Sequence, residues 1–474
     1  MRLRVAMLVV GVVSFVAAAA GIGVRASYGA RVTGDEPQYL ITAISLGADG
    51  DLNVADEIGR QAYLPFHEIG LNRQTVPLED GSEISPHDPG LPALLALPMI
   101  AGGWVAAKLS LALMAGVLAA LLVWISVVRF GVPDARAAIV VGILAASAPL
   151  AVYGQQVYPE MPAALCVGVA IACVTGRLGA RGLLGVAASS VALPWLSVKY
   201  TPVALVIAAL ALWSLWREGR TRAAVGLCVA WGVAGALFLV GHFSWYGGLT
   251  PYATGDHFVA TGEFGVIGSH PNYAGRSVRL IGLLVDNRFG LAAWQPAWLL
   301  TIAAVAALLR ARPRGWGALA APLVGGWLSA TFIALTMQGW WWPGRQLVVV
   351  LPCAVLALAW WAGRSSRRTA LFACLGGLGL LTYVWVVAEG LGGSLTWAVD
   401  FFETGNPLYR AWSALLPDYS NLGARTWALH AAWIALAAGL AAWGWVSSRS
   451  RSETNYPTQS PSPIPSMIPS RSRP

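Results

Sequence analysis

The chain has 474 residues, of which 57% are hydrophobic and only 11% are charged, and its formal net charge is +9. An ordinary soluble fold is excluded, because a water-facing surface needs far more charged residues than this. The 31 basic residues comprise 29 arginines and 2 lysines. This bias is typical of a GC-rich genome and does not predict a nucleic-acid partner. The composition indicates instead a protein embedded in a lipid bilayer.

Apolar runs long enough to cross a bilayer as helices recur along the whole chain. They predict an all-α polytopic membrane protein with twelve transmembrane helices, at roughly 4–24, 104–128, 137–152, 161–175, 183–195, 202–216, 223–244, 290–309, 315–336, 346–363, 369–388 and 426–446. One transmembrane domain then covers residues 1–448. The remaining residues, 449–474, are rich in proline and serine and are predicted to form a disordered cytoplasmic tail.

Two features of the apolar regions do not predict a site of their own. The segment 90–102 is too short to span a bilayer, so we expect it to be re-entrant or interfacial. The five cysteines all lie within apolar runs without paired spacing, which argues against a disulfide framework and against a metal cluster.

The loops between the predicted helices fall into two sets of opposite charge. One set, together with both ends of the chain, holds 19 of the 31 basic residues and 3 of the 22 acidic residues. The positive-inside rule places this set in the cytoplasm, with both termini. The long polar stretches 27–89, 245–289 and 389–425 are then expected on the outer face, where long loops tend to carry function.

The first outer stretch contains two adjacent carboxylates, Asp35 and Glu36, followed by Pro37. Proline suits the first turn of a helix, and apolar residues follow at helical spacing, so 37–47 is predicted to be an amphipathic helix on the outer membrane surface. Either acid could simply cap this helix. A carboxylate held at a helix N-terminus also stays ionised and could act as a general base. The two roles are compatible.

Three further polar side chains lie close to predicted helix ends. His87, in the stretch "SPHDPGLP", could bind a sugar hydroxyl or assist proton transfer, although a lone loop histidine is more often only a hydrogen-bonded turn residue. Glu160, between two prolines, is costly so near to hydrocarbon unless it is used or paired. Lys108, four residues into the second predicted transmembrane helix, is expected to extend outward to the membrane surface.

Cations on the outer face are candidate phosphate ligands. Lys199 lies between two predicted helices, and Arg345 follows three tryptophans that would by themselves form an interfacial aromatic belt. Arg288 has a similar setting, but Asp286 beside it could make a purely structural ion pair. A lysine or arginine at these positions would suit a phosphate group at the membrane surface.

The order of these motifs resembles the GT-C class of membrane glycosyltransferases. An N-terminal span, "GDEPQYL", a long outer loop, "HDPGLP" before the second span, a "YPE" outer turn and a late "WWWPGR" carry the resemblance. The class includes protein O-mannosyltransferases, lipid A aminoarabinose transferases, and arabinosyl and mannosyl transferases of actinobacterial cell envelopes. The resemblance implies sugar transfer from a polyprenyl-phosphate donor to a cell-envelope acceptor, which could be a glycan, a lipid or a protein.

The resemblance also implies roles for single residues. Asp35 would be the general base, with Glu36 supporting it or exchanging roles with it, and Glu160 would help to shape the catalytic site. Lys199 and Arg345 would bind the donor phosphate, with Arg288 as a further candidate. His87 would contact the acceptor or the sugar.

A single displacement with a carboxylate base would invert the anomeric centre, and no acid catalyst is needed because the leaving group is already a phosphate. No cofactor is expected, and a divalent metal is not favoured, because members of the class that need one usually have more acidic loop motifs. A transporter or lipid flippase is the main alternative, although such proteins often show internal repeats and polar groups near the bilayer midplane, which this sequence lacks. A non-catalytic assembly subunit that keeps the fold is a third interpretation.

Overall fold

The computed structural model describes residues 2–77, 81–248, 272–334 and 336–448. The predicted tail at 449–474 and most of the outer stretch 245–289 lie outside these residues. Helices dominate the described part of the chain. The strands found there, β1 (Val76–Pro77) and β2 (Glu83–Ile84), form one short antiparallel pair within the first outer stretch.

The described helices up to residue 248 come from the N-terminal half of the chain. They are α1 (Leu3–Ala20), α2 (Glu36–Ala48), α3 (Ala55–Gly59), α4 (Gly90–Val128), α5 (Asp134–Ala145), α6 (Leu150–Tyr153), α7 (Glu160–Val174), α8 (Ala180–Leu196), α9 (Thr201–Arg217) and α10 (Thr221–Tyr246). A short 3₁₀ turn, Val198–Tyr200, connects α8 to α9.

The helices after residue 271 are shorter on average and are interrupted by turns. They are α11 (Tyr273–Arg276), α12 (Arg279–Val285), α13 (Leu291–Trp294), α14 (Leu300–Ala311), α15 (Trp316–Leu328), α16 (Leu351–Ala362), α17 (Ser366–Leu391), α18 (Pro407–Ser413) and α19 (Ala424–Ser447). Turns of 3₁₀ helix occupy Pro296–Leu299, Arg345–Val350 and Phe401–Glu403, and a π-helical turn, Ser329–Ile333, extends α15.

Eight helical segments of the described chain are long and apolar enough to cross a membrane, judged by length and composition. They are Leu3–Ala20, Gly90–Val128, Val198–Arg217, Thr221–Tyr246, Trp316–Ile333, Arg345–Ala362, Ser366–Leu391 and Ala424–Ser447. These segments are consistent with an all-α membrane protein, as predicted. Each of the twelve predicted spans coincides with a helix, but four of those helices, including the 12-residue α5, are too short to qualify. The count of twelve is therefore not confirmed.

Helix α4 contains the predicted boundary between the short segment 90–102 and the span that follows it. The backbone leaves helical geometry at Gly102 and Gly103, and Gly103 has a φ of 63°. A side chain at that position would be strained, because only glycine adopts this conformation without steric cost. The part of α4 before the break packs closely on α2, since a Cβ added at Gly47 would lie 2.5 Å from Cγ1 of Ile100. This packing fixes the position of α2.

Helix α16 lies at the centre of the protein, because all twelve of its residues are buried. Helix α10, in contrast, buries only Leu227, His242 and Tyr246. Helices that are apolar on every side are either surrounded by other helices or face lipid. The 3₁₀ turn that begins with Arg345 leads directly into α16, so this arginine is attached to a fully buried helix.

Candidate active site

Four of the predicted site residues meet in one group of ion pairs, which we call the charged cluster: Asp35, Glu160, Lys199 and Arg345. The Arg345 Nη2 atom lies 2.6 Å from Oδ2 of Asp35, and its Nε atom lies 3.1 Å from Oε1 of Glu160. The Lys199 Nζ atom lies 2.7 Å from the same Glu160 oxygen. Two carboxylates and two cations give the cluster a formal charge of zero.

The local structure explains how each side chain reaches the cluster. Asp35 is the N-cap residue of α2, and Glu160 is the first residue of α7, so both carboxylates lie near the positive end of a helix. Lys199 and Arg345 both lie in 3₁₀ turns. Gly344, directly before the arginine, has a φ of 87°, a conformation that favours glycine.

Exposure differs sharply within the cluster. The side chain of Glu160 is fully buried and that of Arg345 is 8% exposed, whereas those of Asp35 and Lys199 are 23% and 28% exposed. Glu160 and Arg345 therefore form a buried floor, and Asp35 and Lys199 form an accessible rim. A ligand that approaches from solvent would meet the two rim side chains first.

Two aromatic rings hold the guanidinium group of Arg345. Its central carbon lies 3.9 Å from the ring centroid of Tyr158 and 4.9 Å from that of Trp341. Such cation–π contacts favour a planar guanidinium over an ammonium group and restrict its orientation. The sequence analysis quoted Tyr158 only as part of the "YPE" motif and gave it no role of its own, and it assigned Trp341 only to an aromatic belt.

The electrostatic surroundings keep Asp35 ionised. Burial by itself would raise the pKa of this carboxyl, but the positive charge and hydrogen bond of Arg345, with smaller effects of His87 and Lys199, lower it to about 2. A carboxylate with so low a pKa is a weak base, because a general base works best when its pKa lies near the operating pH. Arg345 therefore keeps Asp35 ionised and makes it a weak base.

Glu36 has a different role from its neighbour. It is buried, and its two carboxylate oxygens accept hydrogen bonds from the backbone N–H groups of Thr33 and Val157, at 2.9 and 2.7 Å. It thus ties the start of α2 to the turn before α7. The expectation that Asp35 or Glu36 caps α2 is wrong, because neither side chain makes a capping hydrogen bond to that helix.

Lys108 does not reach the membrane surface, so that prediction is also wrong. Its side chain is fully buried, and Nζ donates hydrogen bonds to the backbone oxygen of Arg31 at 3.1 Å and to Oε1 of Gln155 at 3.3 Å. Burial raises the pKa of Glu36, and the positive charge of Lys108 opposes this effect. Lys108 therefore helps to stabilise Glu36 from inside the protein.

The "HDPG" turn lies next to the cluster. The Nε2 atom of His87 is 2.7 Å from Oε1 of Gln74, and its ring centroid is 4.8 Å from that of Tyr39. Burial lowers the pKa of His87, while the charge of Asp35 acts in the opposite direction. The imidazole is thus close enough to Asp35 for each group to influence the pKa of the other.

The neighbouring Asp88 anchors this turn. Its Oδ1 atom lies 3.2 Å from Nε2 of His242 on α10, and its Oδ2 atom accepts the backbone N–H of Val198 at 3.0 Å. Since Val198 begins the turn that carries Lys199, one carboxylate connects the His87 loop to a residue of the cluster. Sequence reasoning had assigned no role to Asp88.

Arg288 is not joined to the charged cluster by any hydrogen bond or ion pair among the described residues. Its guanidinium lies 4.4 Å from the ring centroid of Phe402. Among the described residues, Asp286 forms no ion pair with the side chain of Arg288. It accepts hydrogen bonds instead from the backbone N–H groups of Arg288, Phe289 and Tyr419. This carboxylate organises a turn, as the structural interpretation of the pair suggested.

An apolar cavity of about 630 Å³ adjoins the "HDPG" turn. Its lining includes Leu46, Leu52, Pro89, Ala93, Trp195 and Trp245. Pro89, which lines the cavity, is two residues from His87 in the sequence. Its size and its apolar walls suit a hydrocarbon chain.

The carboxylates best placed for a metal ion lie outside the cluster. Among the described residues, Asp49, Asp56 and Glu57 bring oxygen atoms within 4.8 Å of one another. Arg60 already pairs with Asp56 and Glu57, at 3.7 and 2.8 Å. In the charged cluster each acid has a cationic partner, so its charges are balanced without a metal ion.

Comparisons with known proteins identify no relative. No protein-family model matches the chain, and no curated protein or solved structure is significantly similar to it. A functional assignment therefore depends on the residues and on the geometry of the charged cluster.

Proposed function

We propose that this protein is a membrane glycosyltransferase that moves a sugar from a polyprenyl-phosphate donor to a hydroxyl acceptor of the cell envelope. The observation that carries the proposal is the contact between Asp35, the predicted base, and Arg345, a predicted phosphate ligand, with Lys199 at the same site. A base and phosphate-binding cations within one cluster are the parts that such a transfer needs.

The reaction follows from these positions. Asp35 accepts the proton of the acceptor hydroxyl while the acceptor oxygen forms a bond to the anomeric carbon. The bond from that carbon to the phosphate oxygen breaks, and its electron pair leaves with the polyprenyl phosphate. Lys199 and Arg345 stabilise the charge that grows on the phosphate. A single displacement of this kind inverts the anomeric centre.

Charge distribution supports a site on the outer face of the membrane. The polar stretch 27–89, which supplies both Asp35 and His87, belongs to the acidic set of loops, and the positive-inside rule assigns the opposite set, with both termini, to the cytoplasm. We propose twelve transmembrane helices in a GT-C-like arrangement, in which the four short helices cross with help from neighbouring turns. The donor is already in the membrane, so a site at its boundary suits the substrate.

The apolar cavity near the "HDPG" turn is our candidate for the first isoprene units of the donor. A polyprenyl chain needs an apolar path from the phosphate into the bilayer, and we propose that the cavity lined by Trp195 and Trp245 supplies part of it. Aromatic rings at a membrane interface suit a ligand with a polar head and an apolar tail.

The decisive experiment is a transfer assay with the purified full-length protein in detergent micelles or vesicles. A panel of polyprenyl-phosphate sugars is supplied with envelope extracts as acceptors, and release of polyprenyl phosphate is measured. Wild-type protein should release it, and an Asp35→Asn variant should not. If the protein instead moved intact donor across vesicle membranes without cleaving it, the transporter interpretation would replace this one.

A genetic experiment would identify the sugar. A strain that lacks the protein should accumulate one lipid-linked sugar or make a shortened glycan. Unchanged lipid-linked sugars and unchanged envelope glycans in that strain would argue against transferase activity.

A further inference from the structure

Arg345 serves two partners at once. Its Nε atom binds Glu160 and its Nη2 atom binds Asp35. Under the proposed function this creates a conflict, because the guanidinium that should hold the donor phosphate is occupied by the proposed base. Asp35, in turn, cannot accept a proton readily while a full positive charge lies 2.6 Å from one of its oxygens.

The structure indicates which of the two contacts can change. Glu160 is fully buried and is shared with Lys199, and the guanidinium is held by the rings of Tyr158 and Trp341. Asp35 is the partly exposed partner, and Arg345 is its only ion-pair partner within the described residues. The bond to Glu160 is therefore the fixed one, and the bond to Asp35 faces the side from which a ligand arrives.

We propose that Arg345 couples donor binding to release of the base. The donor phosphate takes the Nη2 N–H that Arg345 donates to Asp35 in the free protein, and Asp35 then becomes available to the acceptor hydroxyl. This inference rests on the proposed function and adds an order of events to it. Without a donor phosphate, Arg345 keeps Asp35 inactive.

Charge balance through the reaction fits this exchange. The free cluster is neutral, and a bound phosphodiester adds one negative charge. During transfer Asp35 gains the acceptor proton and loses its charge, while the departing phosphate gains one. Arg345, which left Asp35 when the donor bound, thus stays with the phosphate that becomes more negative, while Asp35 is neutralised by the acceptor proton. No other proton donor or acceptor is needed.

The exchange has an unusual consequence, because Asp35 and the phosphate compete for one guanidinium. Removal of the Asp35 charge should make phosphate binding tighter, even though it stops turnover. A base that contacted only the acceptor would not influence phosphate affinity in this direction. A merely structural ion pair, when broken, would loosen Arg345 and weaken phosphate binding.

The test measures binding of farnesyl phosphate to the full-length protein in micelles by calorimetry, with inorganic phosphate as a second probe. Asp35→Asn should bind farnesyl phosphate about tenfold more tightly than wild type. The phosphate no longer has to displace an ion pair, and an ion pair of this kind corresponds to about one pKa unit, which is a factor of about ten in an equilibrium constant. Asp49→Asn makes the same charge change on the exposed residue after α2 and should leave affinity unchanged. The gain in affinity should disappear when Asp35→Asn is combined with Arg345→Lys. Lysine keeps the positive charge of residue 345 but lacks the planar guanidinium group.

The outcomes separate this inference from the proposed function. If wild-type protein binds farnesyl phosphate and Asp35→Asn binds it equally well or more weakly, Asp35 does not compete with the phosphate. The phosphate site itself would stand. Absence of farnesyl phosphate binding by both wild-type and Asp35→Asn protein would overturn the phosphate site itself. If Asp35→Asn binds inorganic phosphate more tightly than wild type but does not bind farnesyl phosphate more tightly, the site binds a free anion. The proposal of a lipid-linked donor would then be overturned. If Asp49→Asn gained as much affinity for farnesyl phosphate as Asp35→Asn, the change in net charge alone would explain the effect, and the competition for Arg345 would be overturned.

Discussion

The Nη2 atom of Arg345 lies 2.6 Å from Oδ2 of Asp35, although the two residues are 310 positions apart in the chain. One residue stands before α2 and the other leads into α16, so this contact connects the first outer stretch to the central helix. It forms only when these two distant segments of the chain have come together.

Asp35→Asn should reduce turnover by about 10²–10⁴ with little change in folding, because removal of a general base has that effect. Glu36→Gln should mainly reduce stability, by about 1–3 kcal/mol, because it weakens a buried acceptor of two backbone N–H groups. Transfer rates and thermal unfolding of both variants distinguish the two acids. An active Asp35→Asn protein would refute its role as base, and a stable but inactive Glu36→Gln protein would exchange the two roles.

Arg345→Gln should destabilise the fold by about 3–5 kcal/mol, because it leaves Glu160 and Asp35 without their shared cation in a largely buried site. Replacing Glu160 by Gln in the same protein should recover part of this loss, because the two substitutions remove the same interaction. Unfolding of the two single variants and of the double variant forms a thermodynamic cycle. Strictly additive losses would mean that the 3.1 Å contact contributes no coupling energy.

The two lysines of the chain should react very differently with an amine-directed reagent. Lys199 is 28% exposed and Lys108 is fully buried, so modification of the folded protein should reach Lys199 and spare Lys108. Farnesyl phosphate should slow the reaction at Lys199 if that cation binds phosphate. Peptide mass spectrometry gives both rates, and unfolded protein serves as the control in which both lysines react. Equal labelling in the folded state would contradict the burial of Lys108.

The positions of the helices and of four site residues could be predicted because the physical signals are local. An apolar run of sufficient length is helical in a membrane whatever its neighbours are. A charge at the end of such a run is costly unless it is used or paired, and this argument selected Glu160. Lys199 and Arg345 were selected as cations on the outer face that would suit a phosphate. Which short helices cross the bilayer depends on their surroundings, and length alone cannot decide it for α5 or α7.

Lys108 and Tyr158 show what local signals miss. Lys108 lies on the same side of α4 as Ala107, Leu111 and Ala112, which are all buried, so it faces the protein and not the membrane surface. The helix is apolar on all sides, and its sequence does not indicate which side packs inward. The ring of Tyr158 contacts a guanidinium 187 residues further along the chain, and such a pair becomes visible only in the fold.

The orientation in the membrane can be tested with single cysteines on a cysteine-free background. Leu64→Cys lies at an exposed position of the first outer stretch, and Arg314→Cys lies in a basic loop. An impermeant maleimide should label residue 64 in intact cells and residue 314 only after the membrane is opened. The reverse pattern would place the charged cluster on the cytoplasmic side and exclude an outer-face transferase.

The stability of the protein should decrease as the pH falls below about 6.5, the value of an unperturbed histidine. Burial lowers the pKa of His87 in the folded state, so below that pH the unfolded chain binds its proton more readily than the folded chain does. Stability from this group is complete above the unfolded pKa and is lost as the pH decreases. The charges of Asp35 and Asp88 oppose the shift, and those of Arg345 and Lys199 reinforce it.

His87→Gln should therefore make the melting temperature depend less on pH in the acidic range, while glutamine can still form a hydrogen bond to Gln74. Burial also lowers the pKa of His67, so the variant should keep part of the slope, and a His67→Gln, His87→Gln double variant should lose more of it. Melting temperatures in micelles between about pH 5 and pH 8 measure the effect. A slope that is unchanged in both variants would mean that neither imidazole is held neutral by the fold, and His87 would then be a solvated loop residue without a defined place in the site.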